Sequence, residues 1–349
     1  MADKTRIVIV GGGYAGVQVA KTLYKEFKRD TNIEITLIDK HPYHTLMTDL
    51  HEVAGSRVEP DAVMVSFHRI FAGKRIQVVL DTVTQIDFET KKVIGTQGTY
   101  EYDYVVIGSG AEPEFFGITG VQENSYTLWS FEDALKLREQ INMMFLKASE
   151  EADPEKRKEL LTFVVAGAGF TGIEMAGELL EHRDTMCRKY HIKREEVSII
   201  IVEALSMILT MLHEDMRAKA MKYLEKKGAK VMLNSPIIGA SEGEVYIKGG
   251  NVIRTKTFIW TCGVMGSNFA GNLDLTKGRC TNTRCKFATT MGSCGKKNCQ
   301  FKIDEKETYI NGKRGRLQTN AYMQSSDYDN VYIVGDNIWF IEDKKPLPQ

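Results

Sequence analysis

Residues 162–180 constrain this 349-residue chain more tightly than any other stretch. An apolar run at 163–166 meets Gly167-x-Gly169-x-x-Gly172 and then a helical pattern. The order is strand, tight turn, helix N-terminus. Glycines there let the backbone approach a phosphate, and the exposed N–H groups with the helix dipole favour its negative charge. Such a turn cradles a dinucleotide pyrophosphate. A second copy stands near the start of the chain, Gly11-x-Gly13-x-x-Gly16, with Tyr14 and Ala15 in the variable places. One such motif is weak evidence. Two, each between a strand and a helix, predict two dinucleotides held by two domains.

Composition pulls in no other direction. Lys+Arg and Asp+Glu are both 46, so the formal net charge of +0 predicts no general attraction to nucleic acid or anionic lipid. The N-terminal residues run straight into a strand without the pattern of a secretory signal, and no apolar run reaches the length of a membrane span. Six cysteines occur, and Cys280, Cys285, Cys294 and Cys299 crowd into one 20-residue window. That is a local site rather than a secreted disulfide framework, and a cytoplasmic location is expected.

Taken in order, residues 6–10 read as a buried parallel strand, and Val19, Leu23 and Phe27 repeat at helical spacing after the glycine turn. The next strand, 33–38, ends on Asp39 followed by Lys40. A carboxylate at that place can accept both hydroxyls of an adenosine ribose. His41, His44 and His51 invite a metal, but no cysteine or carboxylate spacing completes a ligand set. Ordinary hydrogen-bonded groups near a cofactor are preferred. A strand at 76–80, a β-meander over 81–94 and an apolar strand ending on Gly108-Ser109-Gly110 complete the first sheet.

Residues 130–148 are helical, and 152–158 read as a charged, solvated connector. After the second glycine turn, the strand at 196–202 ends on Glu203. An acid in the ribose position favours NADH, because a 2′-phosphate would meet a like charge. A helix over 215–227 stops at Gly228, and a strand over 257–264 ends in small residues as 104–110 does.

These features resemble type II NADH dehydrogenases, the single-subunit NADH:quinone oxidoreductases among the two-dinucleotide-binding flavoproteins. The residues that carry the resemblance are the first glycine motif, Tyr43-His-x-Leu-x-x-x-Leu-His-Glu-Val-Ala54, Gly167-x-Gly169-x-Thr-Gly-Ile-Glu-Met-Ala-Gly177, Ile259-Trp-Thr-Cys-Gly-Val264 and Val334-Gly-Asp336. The resemblance implies an α/β fold of two Rossmann-like domains, one for FAD and one for NADH, the second inserted in the first. Residues 1–122 and 267–349 would form the FAD domain and 123–266 the NADH domain.

It further implies that Gly11, Gly13 and Gly16, with Tyr14 and Ala15, take the FAD pyrophosphate, Asp39 with Lys40 the ribose, and the backbone of Val83 the adenine. Asp336 would bind the ribityl hydroxyls, with Gly110 and Thr48 also at the flavin. NADH would be held by Gly167, Gly169, Gly172 and Glu203, with Cys262, Gly263 and Val264 near the nicotinamide. Glu174, in the first turn after Gly172, has a bland explanation as a carboxylate favouring the helix dipole. In the family, the matching glutamate faces the flavin, and a catalytic role is the reading preferred here. The implied reaction is hydride transfer from NADH to FAD and two electrons onward to a quinone, menaquinone or ubiquinone, or to a soluble acceptor.

Two departures from the family stand out. The chain ends at Gln349, before the glutamine-bearing and membrane-lying helices of family members, so contact with a membrane surface is expected only through such a region. A homodimer is compatible with the family. Second, Cys280-x4-Cys285-x8-Cys294-x4-Cys299 looks like an insertion at about 276–310. Four thiolates in two pairs suit a structural Zn²⁺ first, iron or an iron–sulfur centre second, and free thiols or disulfides otherwise. Cys187 and Cys262 read as packing.

Of three other functions, one is excluded and two compete. A disulfide, CoA-disulfide or peroxide reductase needs a redox cysteine just after Asp39 or a pair in the first helix, and neither exists. A reductase of a ferredoxin- or rubredoxin-type acceptor stays open, with the cysteine-rich insert as its docking module. An NADH-binding redox sensor is the alternative from outside the enzymes.

Overall fold

In the computed structural model, the described residues are 4–275, 315–325 and 327–339, with the strand backbones at 288–289, 293–294, 341–342 and 345–346. The chain forms two compact units. The first takes in residues 1–44, 65–112 and 264–349, and the second 45–64 and 113–263.

The first unit is built on a five-stranded parallel sheet in the order Val331–Ile333, Tyr104–Ile107, Thr5–Val10, Ile33–Asp39, Gln77–Leu80. Strand Thr5–Val10 is central, and Val10 lies level with Ile38 on one side and Ile107 on the other. Successive side chains of a strand point to opposite faces, so a strand covered on both faces reads as a continuous apolar run. Val8 and Val10 join one core cluster with Ile38, Val105 and Ile107. Ile9 joins another with Val17, Ala20, Leu37 and Phe67. A three-stranded antiparallel meander, Val83–Asp87, Lys92–Gly95 and Thr99–Glu101, belongs to the same unit. Asp81, which precedes it, is 2% exposed. It accepts hydrogen bonds from the Thr96 hydroxyl (2.8 Å), the Gln97 N–H (3.0 Å) and the Tyr100 hydroxyl (2.8 Å).

The second unit repeats the plan. Its parallel sheet runs Tyr126–Thr127, Thr257–Trp260, Thr162–Ala166, Ser198–Val202, Ala229–Met232. Phe163, Val165, Ile199 and Ile201 face a helical layer, and Val164, Ala166, Ile200 and Val202 the opposite core. Helix Phe131–Glu150 starts at Ser130, whose hydroxyl accepts from the Asp133 N–H, and buries Ala134, Leu137, Ile141, Phe145 and Ala148 at helical spacing. The short helix Leu50–Ala54 adds the buried Leu50, Val53 and Ala54 to the same cluster.

The charged connector is not irregular. Pro154–Leu160 is a helix, with Pro154 in its first turn and the Asp153 carboxylate accepting from the N–H of Glu155 and Lys156. A proline at the first helical position after an aspartate cap starts a helix whatever the charge that follows.

Candidate functional site

Each unit presents one glycine turn at the carboxyl end of its central strand. In the first, Gly11 has φ +100°, a conformation open to glycine, and a side chain on Gly16 would come within 1.9 Å of the Gly11 carbonyl oxygen. Gly13 is different. A Cβ there would meet no heavy atom within 4 Å, and it caps helix Tyr14–Glu26 with no side-chain hydrogen bond. The turn therefore opens onto a space at a helix N-terminus, where unpaired N–H groups and the helix dipole receive an anion. The observed cradle fits a pyrophosphate.

Asp39 closes this turn from the neighbouring strand. One oxygen accepts from the Gly12 N–H at 2.6 Å, the other from the His41 N–H at 2.8 Å. Buried His44 sets its Nδ1 3.0 Å from the Gly12 carbonyl, and Tyr14 meets the His44 ring edge-on. Lys40 is exposed. The His41 ring stacks on Tyr43, and among the described residues no group of three or more His, Cys, Asp or Glu could hold a metal ion.

The second turn repeats the backbone plan of the first. Gly167 has φ +94°, a Cβ on Gly172 would come within 2.0 Å of the Gly167 oxygen, and one on Gly169 would meet nothing within 4 Å. Helix Phe170–Tyr190 begins there without a side-chain cap. Glu203 accepts from the Ala168 N–H at 2.7 Å and from the Leu205 N–H at 2.9 Å.

The remaining candidates in the first unit lie near strand ends. Val83 opens the meander and is half-buried. Gly110 has φ +70°, and its carbonyl accepts from the Ser267 N–H at 3.2 Å. Asp336 is exposed in the 3-10 turn Gly335–Asn337, where Gly335 has φ +78° and its Cβ would sit 3.1 Å from that of Ala15. The carbonyl of Val264 accepts from Arg316 at 3.2 Å. In the second unit, Thr48 is exposed and donates to Asp49 at 3.0 Å. Gly263 has φ +73° and accepts from the Glu114 N–H at 3.2 Å. Burial, with a smaller contribution from Glu203, pushes the Cys262 thiol up to about 12.

Glu174 stands beside residues that the sequence did not link to it. Its carboxylate is 48% exposed and lies 3.8 Å from Nδ1 of the largely buried His51. One turn on, Glu178 is 10% exposed and pairs with Arg57 at 3.1 Å. Burial raises the Glu178 carboxyl above its usual range, against the opposing pull of Arg57 and His51. Arg57 also contacts Glu52. The i, i+4 spacing of Glu174 and Glu178 was the available signal that both share one face of their helix.

Cys280, Cys285 and Cys299 lie outside the described residues, and of Cys294 only the strand backbone is described. Among the described residues no helix is long and apolar enough to cross a membrane.

Residues 5–290 match the pyridine nucleotide-disulphide oxidoreductase family. A type II NADH:quinone oxidoreductase from Staphylococcus haemolyticus is 30% identical over 351 aligned residues, covering 99% of this chain and 78% of the relative. The chain belongs to the type II NADH:quinone oxidoreductase family. The Staphylococcus aureus member, from strain NCTC 8325, is likewise 30% identical over 99% of the chain. Among solved structures, NDH2 from Plasmodium falciparum in complex with NADH matches with a TM-score of 0.78 at 19% identity. The match covers 96% of this chain and 64% of that one. At that identity it speaks for the fold alone, an α/β chain with two Rossmann-like units.

Proposed function

We propose that this chain is an FAD-dependent NADH dehydrogenase that delivers electrons to a quinone. The observation that carries the proposal is the pair of open glycine turns, each closed by a strand-end carboxylate, in a member of this family. FAD is assigned to the first turn. Gly11, Gly13, Tyr14, Ala15 and Gly16 hold its pyrophosphate, Asp39 and Lys40 its ribose, Val83 its adenine, and Asp336 with Gly110 and Thr48 the flavin side. Bound there, FAD would supply the hydride-accepting and electron-donating chemistry between NADH and the acceptor.

NADH is assigned to the second turn. Gly167, Gly169 and Gly172 leave room for its diphosphate, and the Glu203 carboxylate takes the ribose hydroxyls and repels a 2′-phosphate. Cys262, Gly263 and Val264 are assigned to the nicotinamide. The Cys262 thiol stays protonated at neutral pH and serves as a packing group rather than a nucleophile. Glu174 is assigned as the catalytic carboxylate that moves a proton toward the quinone, with His51 orienting it at 3.8 Å. The quinone is menaquinone or ubiquinone, met at the cytoplasmic face of a membrane. The cysteine spacing supports a thiolate Zn²⁺ site, for which metal analysis should find about one Zn per chain.

A visible spectrum of the purified protein tests the central assignment. A flavin band that bleaches on adding NADH and recovers on adding a soluble quinone is the expected result. Colourless protein that takes up no FAD, or a flavin that NADH leaves oxidised, would overturn it.

A further inference from the structure

Within the first unit, three buried or half-buried polar side chains meet where two strand ends come together. Ser109 follows strand Tyr104–Ile107, and Asn337 follows Asp336 in the turn after strand Val331–Ile333. Asn337 is 0% exposed. Its amide nitrogen donates to the Ile107 carbonyl at 3.3 Å and to the Ser109 hydroxyl at 3.4 Å. The Ser109 hydroxyl also accepts from the Ser267 hydroxyl at 2.8 Å. Ser267, itself 5% exposed, accepts from the Ala270 N–H at 3.2 Å and gives its own N–H to Gly110.

The asymmetry of Asn337 is informative. Its Oδ1 is buried with no hydrogen-bond partner. Neither of its acceptors depends on it: the Ile107 carbonyl already takes the Val334 N–H at 2.9 Å, and the Ser109 hydroxyl already takes Ser267. Asn337 thus leaves one polar atom unsatisfied and relieves no other. A buried orphan of this kind opposes folding, so the two long amide bonds are poor grounds for stability. What they do fix is position. They tie the residue after Asp336 to the Gly108-Ser109-Gly110 turn, whose partner glycine, Gly11, would strike the Gly108 oxygen at 2.4 Å if it carried a Cβ.

We propose that Asn337, Ser109 and Ser267 form a latch that holds the Asp336 turn against the end of strand Tyr104–Ile107, making Asn337 and Ser109 positioning residues for FAD. The proposal rests on the assignment of FAD to this unit. Preorganisation raises affinity by removing an ordering cost that binding would otherwise meet. Loss of the latch therefore weakens FAD binding without weakening the fold.

The test uses the purified full chain, with flavin fluorescence on dilution reporting FAD release. The variant Asn337→Leu removes the donors and the orphan together and strands neither acceptor. It is expected to bind FAD roughly threefold to tenfold more weakly, with the melting temperature of flavin-free protein held or raised and NADH binding unchanged. Should the leucine fail to fold, Ser109→Ala should likewise weaken FAD binding with NADH binding unchanged, at a somewhat lower melting temperature because it strands the Ser267 hydroxyl. Ser267→Ala should weaken FAD binding, and Ser267→Thr, which keeps the hydroxyl, should restore it. Wild-type FAD affinity in both Asn337→Leu and Ser109→Ala overturns the latch alone. Parallel losses of melting temperature, NADH binding and FAD binding overturn it too, by showing a general structural role. A wild-type chain that binds no FAD overturns the assignment beneath it.

Discussion

The N–H of Ala168 donates to the Glu203 carboxylate at 2.7 Å, and the N–H of Gly12, its counterpart in the first unit, donates to Asp39 at 2.6 Å. In both units the second residue of the glycine motif is held by the acid at the end of the adjacent strand. The carboxylate thus shapes the turn in addition to the ribose contact proposed for it. Glu203→Ala removes both functions. We expect kcat/KM for NADH to fall about 10- to 100-fold, the range for losing hydrogen bonds to a charged group, and the preference over NADPH to narrow. Steady-state kinetics with both nucleotides check this; an unchanged ratio would remove Glu203 from specificity.

Glu174 is half-exposed, so its substitution should spare the fold. Glu174→Gln is expected to lower turnover about 100-fold or more, in line with loss of a general acid–base group, at unchanged flavin content. Flavin absorbance per protein measured beside turnover separates the two. Full activity in the glutamine variant would exclude Glu174 from proton transfer.

Asp81 is expected to contribute to stability against acid. Burial pushes this carboxyl up, but hydrogen bonds from Tyr100, Thr96 and Gln97 outweigh it and leave Asp81 below its ordinary value. A depressed carboxyl contributes stability above its unfolded pKa of about 3.9, and that stability is lost as pH falls through the folded value. Melting temperature should therefore drop below about pH 4. Asp81→Asn should melt lower at pH 7 and lose part of that acid limb. Parallel melting curves for the two proteins would refute the assignment.

The raised Cys262 thiol predicts slow chemistry. Alkylation by iodoacetamide at pH 8, followed by peptide mass spectrometry, should label Cys262 at least about tenfold more slowly in the folded chain than in urea. Equal rates would mean the thiolate is accessible after all.

Some of this was legible in the sequence because the signal is local. Gly11, Gly16, Gly167 and Gly172 are dictated by turn geometry a few residues wide, and Asp39 and Glu203 fall at the ends of runs that read as parallel strands. Residues 45–64 show the limit. Leu50, Val53 and Ala54 are apolar in any reading, but which core they join is decided by packing against helix Phe131–Glu150, far along the chain. Asn337 gives no sign at all in one dimension; its neighbours Ser109 and Ser267 stand more than 60 positions away. The connector at 152–158 carried its helix-start signals, Asp153 and Pro154, beneath a charge run that outweighed them.

Gly13 and Gly169 have ordinary backbone angles, φ −69° and −75°, with no protein atom near enough to touch a methyl group. Alanine at either place is therefore invisible to the apoprotein and obstructive only to whatever occupies the turn. The molecule in this way carries two separate dials, one per glycine turn. Turning one down leaves the other as an internal control for whether the chain is still intact.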